Sequence, residues 1–269
     1  VFIVGNLTSS RWWGFLLLLP MSREKPYLVF NMNQMLKTKA GLSELKVMSG
    51  GVEIKSDFEF KPRRRKPLMK RLGVGVNDAP YCVNCASETG KKLVCPIFTR
   101  WSMMMARAYC PKYHARFPSY IGCSVDPRWH SFMDFREWLQ QKDWVGRELD
   151  KDLIQAGNKV YSPETCMLIP GAINTLLTDS AGSRGDLPLG VSISGGSSKF
   201  VSRIRKYNKR IIIGYFFNVE DASKAYKEAK IEHIASLLPS LTGEDPRLIP
   251  ALERIIVDMR ADLLFSCVS

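Results

Sequence analysis

The segment from Gly190 to Lys230 constrains the fold most, because its residue pattern fits three short strands followed by a helix. Basic residues recur along the strands, and Asn218 is a suitable N-cap for a helix over Val219–Leu238. That helix can lie close to a sheet, since one of its faces carries Ala222, Ala225, Tyr226 and Ala229. The sequence therefore predicts, over residues 188–238, a small three-stranded antiparallel sheet packed on one helix.

The positive charge of the chain is concentrated in two segments. Residues 183–214 contain seven Lys or Arg against one Asp, and residues 61–71 contain seven with no acid. Together they carry a net charge of +13, which equals the formal net charge of all 269 residues. Charge concentrated in this way indicates a polyanionic partner.

Residues 61–71, with the sequence KPRRRKPLMKR, are predicted to form an extended basic arm. Pro62 and Pro67 interrupt any helix in this segment. We expect the arm to lie along phosphates through Arg63, Arg64 and Arg65. A solvated run of charges is the alternative interpretation.

Length and composition limit the classes of protein to consider. A chain of 269 residues holds one large domain or two to three small ones. Seven cysteines at irregular spacing argue for a reducing compartment and against a secreted disulfide framework. The apolar run Phe15–Leu19 is too short to span a membrane, so no membrane partner is expected. Residues 1–20 are interpreted as translated upstream sequence, with a degenerate targeting segment as the alternative.

The remainder of the chain divides into predicted regions. Residues 21–94 form an N-terminal region that includes the arm, residues 179–187 a Ser-, Gly- and Asp-rich linker, and residues 239–269 a helical extension. Apolar spacing predicts helices at Ile97–Tyr109 and from Phe132 to Leu139. Two more helices are predicted, one starting at Ser162 and one over Pro170–Leu177.

Two sets of residues are candidate metal ligands. Cys82 and Cys85 form a CxxC pair, but Cys95 and Cys110 follow at wide spacings, so reduced cysteines are favoured over a zinc site. Asp150 and Asp152 are close enough to share a divalent cation. A solvated turn with local salt bridges explains the two acids equally well.

The segment GRELDKDLIQAGNKVYSPETCMLIPGAINTLL resembles the core of bacteriophage HNH-type endonucleases of the homing kind, and residues 95–178 carry the likeness. In that family a β-hairpin bears an Asp-His pair, a loop bears Asn, and a helix supplies a last ligand. The resemblance places Asp150 at the metal-binding Asp. It also places Asn158 at the central Asn, Thr165 at the helix position, and Lys151 where the catalytic His belongs. A lysine is normally protonated, so it is a poor substitute for a histidine base.

The segments LGVSI, KFVSRIRKYNKRIIIGYF and NVEDASKAYKEAK are similar to the APETALA-two/ERF type of DNA-binding domain. In that family a three-stranded sheet enters the major groove and its Arg and Trp side chains contact DNA. The resemblance assigns DNA contacts to five positions of this chain, with Phe200 near the family's strand tryptophan: Lys199, Arg203, Arg205, Lys209 and Arg210.

The two resemblances together imply an α+β protein in which a ββα-metal (HNH-like) module precedes the small sheet-and-helix unit. We expect it to bind duplex DNA in the cytoplasm of a bacterial host and to use no small-molecule substrate. With Mg²⁺ or Mn²⁺ it would nick or cleave that DNA. Because the histidine position is Lys151, the alternative is a catalytically inactive DNA-binding protein. RNA binding or a structural role is a third hypothesis, and the oligomeric state is left open.

Overall fold

The computed structural model describes residues 45–54, 58–63, 70–86, 89–178, 185–195, 198–207 and 209–265. The predictions for residues 1–20, for Arg64 and Arg65, and for most of the linker therefore lie outside the described residues. Among the helices of the described residues, none is both long and apolar enough to cross a membrane.

The fold is mixed α+β, as expected, with six α-helices and several small sheets in the described part of the chain. The helices are α1 (Pro96–Tyr109), α2 (Pro111–Arg116), α3 (Phe132–Gln140), α4 (Gly171–Leu177), α5 (Val219–Leu237) and α6 (Leu248–Phe265). The first strands form short hairpins: β1 (Met48–Ser49) with β2 (Val52–Glu53), β3 (Lys70–Arg71) with β4 (Gly75–Val76), and β5 (Asn84–Ala86) with β6 (Lys92–Val94). The later strands are β7 (Ser124–Val125), β8 (Arg147–Asp150), β9 (Val160–Tyr161), β10 (Met167–Pro170), β11 (Val191–Ile193), β12 (Phe200–Lys206) and β13 (Lys209–Phe216).

Helices α1 and α3 build an aromatic core in the first half of the chain. Pro96 starts α1, where a missing N–H costs nothing, and the buried residues recur on one face of the helix. Trp101 is fully buried, and its Nε1 donates to the Trp129 carbonyl at 2.8 Å. Met104 and Met105 are buried in the same core, whereas Met103 is 42% exposed.

Strands β8 and β10 form an antiparallel hairpin that is followed directly by α4. The prediction of a helix starting at Ser162 is wrong. The Ser162 hydroxyl does accept from the Thr165 N–H at 3.2 Å, but only a turn forms. The buried apolar run Met167–Ile169 comes next and pairs with β8, so strand pairing prevails over the local helix signal. The short helix predicted over Pro170–Leu177 is confirmed as α4.

A second core joins this hairpin unit to the last two helices. Met167, Ile169 and Ile173 pack in one apolar cluster with Ile234 of α5 and Leu252 of α6. The cluster therefore contains residues from both sides of the predicted linker, and it includes the predicted C-terminal extension.

The three-stranded antiparallel sheet is confirmed, with strand order β11–β12–β13. Helix α5 packs on one face, where Ile204 lines a space shared with Tyr226 and His233. The predicted cap is also confirmed, since the Asn218 side chain accepts from the Asp221 N–H at 2.7 Å. One irregularity in the β12–β13 register, after Ser202, breaks the regular pairing.

Gly190 lets the chain enter this sheet against Tyr226 of α5. Its φ is +79°, and a Cβ built on it would lie 2.0 Å from the Tyr226 Cδ2 atom. We expect Gly190→Ala to lower the free energy of unfolding by about 2–4 kcal/mol, because an unusual backbone conformation and a clash combine. Urea denaturation measures the change.

Gly185 provides a matched control for that substitution. Its φ is +72°, but apart from its neighbours in the chain no atom of the described residues lies within 4 Å of the position of its Cβ. Gly185→Ala is therefore expected to cost only about 1 kcal/mol, from the backbone conformation alone. Equal losses in the two variants would contradict a tight contact between Gly190 and Tyr226.

Candidate functional site

The alternation of side chains along the strands determines which residues lie on the face of the sheet opposite α5. Ile204 is 3% exposed and lies toward α5, so the alternation along β12 places Arg203 and Arg205 on the opposite face. Arg205 also borders the space that Ile204 shares with Tyr226 and His233. Residues directly opposite each other share a face, which places Arg210 beside Arg205 and Ile212 beside Arg203. Strands β12 and β13 therefore present three arginines on one surface.

Lys199 belongs to the same surface, just before β12 begins. Its Nζ lies 4.7 Å from the centroid of the Phe217 ring. Tyr215 is 55% exposed and Phe217 81% exposed, so aromatic rings stand among the cations. We call Lys199, Arg203, Arg205 and Arg210 the cationic face.

Within the cationic face the four cations have different surroundings. Arg205 and Arg210 are exposed, while Arg203 is half-buried and its Nη1 donates to the Ser192 hydroxyl at 2.5 Å. No Asp or Glu occurs between residues 187 and 219, so the sequence offers no local carboxylate to neutralise this surface.

Lys209 lies on the opposite side of the same hairpin. It pairs with Lys206, and both positions alternate with the arginines. The sequence grouped Lys209 with the other cations, but the pleat of the strands separates it from them. Its side chain is exposed on the side of the sheet that carries α5.

Of the three arginines predicted to contact phosphates, Arg63 alone lies in the described residues. It is half-buried, and its Nη1 donates to the Asn77 carbonyl at 2.5 Å. The backbone around it is extended and bonded to residues 80–82, since Arg63 N donates to Pro80 O and Cys82 N to Lys61 O. Arg63 therefore holds a neighbouring loop as well as carrying charge.

A cavity of about 580 Å³ opens at the end of the β8–β10 hairpin. The hairpin contributes Glu148, Asp150, Lys151 and Asp152, and α4 contributes Asn174. The other polar residues of its wall are Arg107, Ser119, Tyr120, Tyr161, Thr178 and Lys230. We call this space the Asp150 cavity.

Asp150 ends β8 and shapes the loop that follows it. Its Oδ1 accepts from the N–H groups of Asp152 at 3.0 Å and Leu153 at 2.7 Å. Burial raises the pKa of this carboxyl above its usual value, and the nearby Asp152 raises it further, while the backbone bonds oppose the rise. Oδ1 is committed to the loop, which leaves Oδ2 as the oxygen of Asp150 suited to a metal ion.

Lys151 and Asn158 close the loop between β8 and β9. Lys151 is buried, and its Nζ donates to the Asp152 carboxylate and to the Asn158 carbonyl, each at 2.9 Å. The Asn158 amide in turn donates to the carbonyls of Lys151 at 2.6 Å and Val160 at 2.8 Å. Both residues lie close to Asp150, but the hydrogen bonds that they form stabilise the loop.

Thr165 does not line the Asp150 cavity. Its hydroxyl donates to the Val160 carbonyl at 2.8 Å and lies 3.0 Å from the Ser162 hydroxyl, in the turn before β10. The polar residue of α4 that lines the cavity is Asn174. Asn174 and Thr175 are the polar residues of the otherwise apolar segment GAINTLL, and this is the signal that could have identified Asn174 from the sequence.

No cluster of three or more His, Cys, Asp or Glu side chains suited to a metal ion occurs in the described parts of the chain. The six described cysteines, Cys82, Cys85, Cys95 and Cys110 among them, are free thiols. The oxygen donors of the cavity wall include the carboxylates of Glu148, Asp150 and Asp152 and the amide of Asn174, which are types of ligand that suit Mg²⁺, an ion that retains several waters when bound to protein. Comparison of the chain with protein-family models, with curated proteins and with solved structures found no match.

Proposed function

We propose that this chain binds duplex DNA through the cationic face of its three-stranded sheet. The observation that carries the proposal is the convergence of Lys199, Arg203 and Arg205 with Arg210 on one surface. The likeness to the APETALA-two/ERF type of domain supports the same surface, since four of the five matching positions belong to the cationic face and only Lys209 lies on the other side of the sheet.

The geometry suits a duplex because β-strands can enter the wide major groove of B-form DNA. Arginine guanidinium groups can contact phosphates or pair with the O6 and N7 atoms of guanine. Arg205 and Arg210 are exposed and directly opposite each other, so they present two guanidinium groups at adjacent positions. Tyr215 adds an exposed ring to the same face.

The test is a titration of duplex DNA with the full chain at two salt concentrations. Neutralising about four phosphates predicts that affinity falls on the order of 10²-fold between about 50 and 200 mM salt. Duplex RNA should bind more weakly, because its deep, narrow major groove does not admit a sheet. Equal affinity for RNA duplexes or single strands would instead favour an RNA-binding protein.

A second function is favoured by the Asp150 cavity, namely hydrolysis of a phosphodiester with a divalent metal. Asp150, Asp152 and Asn174 meet in one space beside a strand–loop–strand–helix unit. That order of elements is the one expected from the likeness to HNH endonucleases. Bound Mg²⁺ or Mn²⁺ would stabilise developing negative charge and lower the pKa of a bound water.

Lys151 has a structural role in this proposal. Its Nζ already donates to two acceptors, so it holds the loop that carries Asp150. Removal of a proton from water then depends on the metal and on the carboxylates of the cavity. Incubation with supercoiled plasmid and either metal tests the activity. Salt-sensitive binding without nicking would establish a DNA-binding protein with an inactive centre.

A further inference from the structure

We propose that Ile212 contacts a pyrimidine C5-methyl group in the major groove, so that the cationic face binds methyl-bearing base pairs more tightly than others. Thymine carries this methyl group, and 5-methylcytosine carries one at the same position of the groove. The inference rests on the DNA binding proposed above, and it names a residue that gives that binding a sequence preference.

The strand register places Ile212 among the arginines of the cationic face. Ile212 is directly opposite Arg203, and the next cross-strand pair on this face is Arg205 with Arg210. The irregularity in the β12–β13 register lies on the far side of the Arg203–Ile212 pair, so the alternation from Arg210 to Ile212 is regular. Three guanidinium groups and one aliphatic side chain therefore occupy neighbouring positions on one surface.

Ile212 is accessible to a ligand that reaches these arginines. Its side chain is 49% exposed, and Arg210 on the same strand is exposed as well. A single exposed aliphatic residue is common on protein surfaces, so exposure alone indicates no function. The position of Ile212 between guanidinium groups is the informative observation, because a partner bound by those groups must also cover the isoleucine.

The chemistry of the major groove determines which group suits Ile212. An isoleucine side chain forms no hydrogen bonds, so covering the polar edge of a base with it leaves base donors or acceptors without partners, which is costly. The C5-methyl group of thymine is the apolar group that the major groove presents, and aliphatic side chains of DNA-binding proteins contact it. A base pair that carries this methyl group is therefore favoured opposite Ile212.

The spacing along β13 allows Arg210 and Ile212 to contact bases of one site. Residues two apart on a strand are about 7 Å apart. Successive nucleotides of a DNA strand rise by about 3.4 Å, so this distance corresponds to about two base steps. When β13 lies along the groove, Arg210 can pair with a guanine while Ile212 contacts a methyl group about two steps away.

The test compares duplexes that differ only in the methyl group. The full chain is titrated with an alternating A·T duplex and with the same duplex in which uracil replaces every thymine. Each base pair of the first duplex carries the methyl group, so the target sequence need not be known. We expect the A·T duplex to bind about fourfold more tightly, the effect of burying one methyl-sized group. An alternating G·C duplex, with and without 5-methyl groups on its cytosines, forms a second pair.

Ile212→Ser should lower the ratio of the two affinities to about one, while Ile212→Val should retain the preference. Ile211→Ser is the matched control, because Ile211 is an exposed isoleucine of the same strand and is directly opposite Ile204, on the side of the sheet that carries α5. It should leave the ratio unchanged. Thermal melting checks that each variant folds, and a ratio measured within one variant is insensitive to the fraction of active protein.

The outcomes separate this inference from the proposed DNA binding. Loss of the preference in Ile212→Ser alone supports the contact, and the duplex pair that shows the preference assigns it to thymine, to 5-methylcytosine or to both. Salt-sensitive binding with a ratio near one in both pairs would refute the methyl contact and leave DNA binding in place. A preference that persists in Ile212→Ser, or that Ile211→Ser abolishes equally, would also overturn the assignment to Ile212. Absence of binding to every duplex would refute the DNA binding itself.

Discussion

Replacement of both Arg205 and Arg210 by alanine is expected to weaken duplex DNA binding by about 10²-fold or more at physiological salt. Each guanidinium is exposed and can make a phosphate or base contact, and such a contact is worth roughly 1–3 kcal/mol. The dependence of log affinity on log salt should also fall by about two. Gel shifts or fluorescence anisotropy at several salt concentrations measure both quantities.

Lys209 offers the control for this experiment, because it is an exposed cation of the same hairpin on the opposite side. Lys209→Ala removes one charge, as Arg210→Ala does, so long-range electrostatics change equally. We expect Arg210→Ala to weaken binding several-fold more than Lys209→Ala. Equal losses would show that only net charge matters, and unchanged affinity in the double arginine variant would refute the cationic face as the binding surface.

The sheet and helix over residues 188–238 were predictable because their signals are local. Strand alternation, the Asn218 cap and the small-residue face of α5 all act over a few residues, and the structure contains each of them. Once the strand register is known, the alternation of side chains along each strand also predicts the face of the sheet on which each cation lies. Lys209 lies on the other side of the sheet from the arginines, and the spacing of charges in the sequence does not reveal the strand register that separates them.

Only some of the residues at the Asp150 cavity could be predicted from the sequence. The loop residues Asp150, Lys151 and Asn158 are close in sequence, and they are also close in the structure. Arg107, Asn174 and Lys230 come from three separate helices, and only tertiary packing brings them to the same space. The resemblance placed Thr165 on a helix, but the structure has a turn at residues 162–165, and the buried run after Cys166 pairs as a strand.

Asp150→Asn is expected to lower metal-dependent nicking by on the order of 10³-fold or more. The substitution removes the negative charge that would hold the divalent metal, and the metal is worth several kcal/mol to the hydrolysis of a phosphodiester. An asparagine Oδ1 can still accept from the N–H groups of Asp152 and Leu153, so the loop should keep its shape. Supercoiled plasmid with Mg²⁺ or Mn²⁺ measures nicking, and calorimetric titration with Mn²⁺ measures the metal directly.

Asp134→Asn is the control, since Asp134 is an exposed acid of α3 outside the cavity wall, and it should leave nicking and metal binding unchanged. DNA affinity without metal should be the same in both variants, because the cationic face is intact.

Asn174→Ala should reduce nicking while Thr165→Ala should not, since only Asn174 lines the cavity. Equal nicking by wild-type protein and Asp150→Asn would exclude Asp150 as the metal ligand. Absence of nicking in the wild type, with DNA binding retained, would mean that the Asp150 cavity is catalytically inactive while the three-stranded sheet binds DNA.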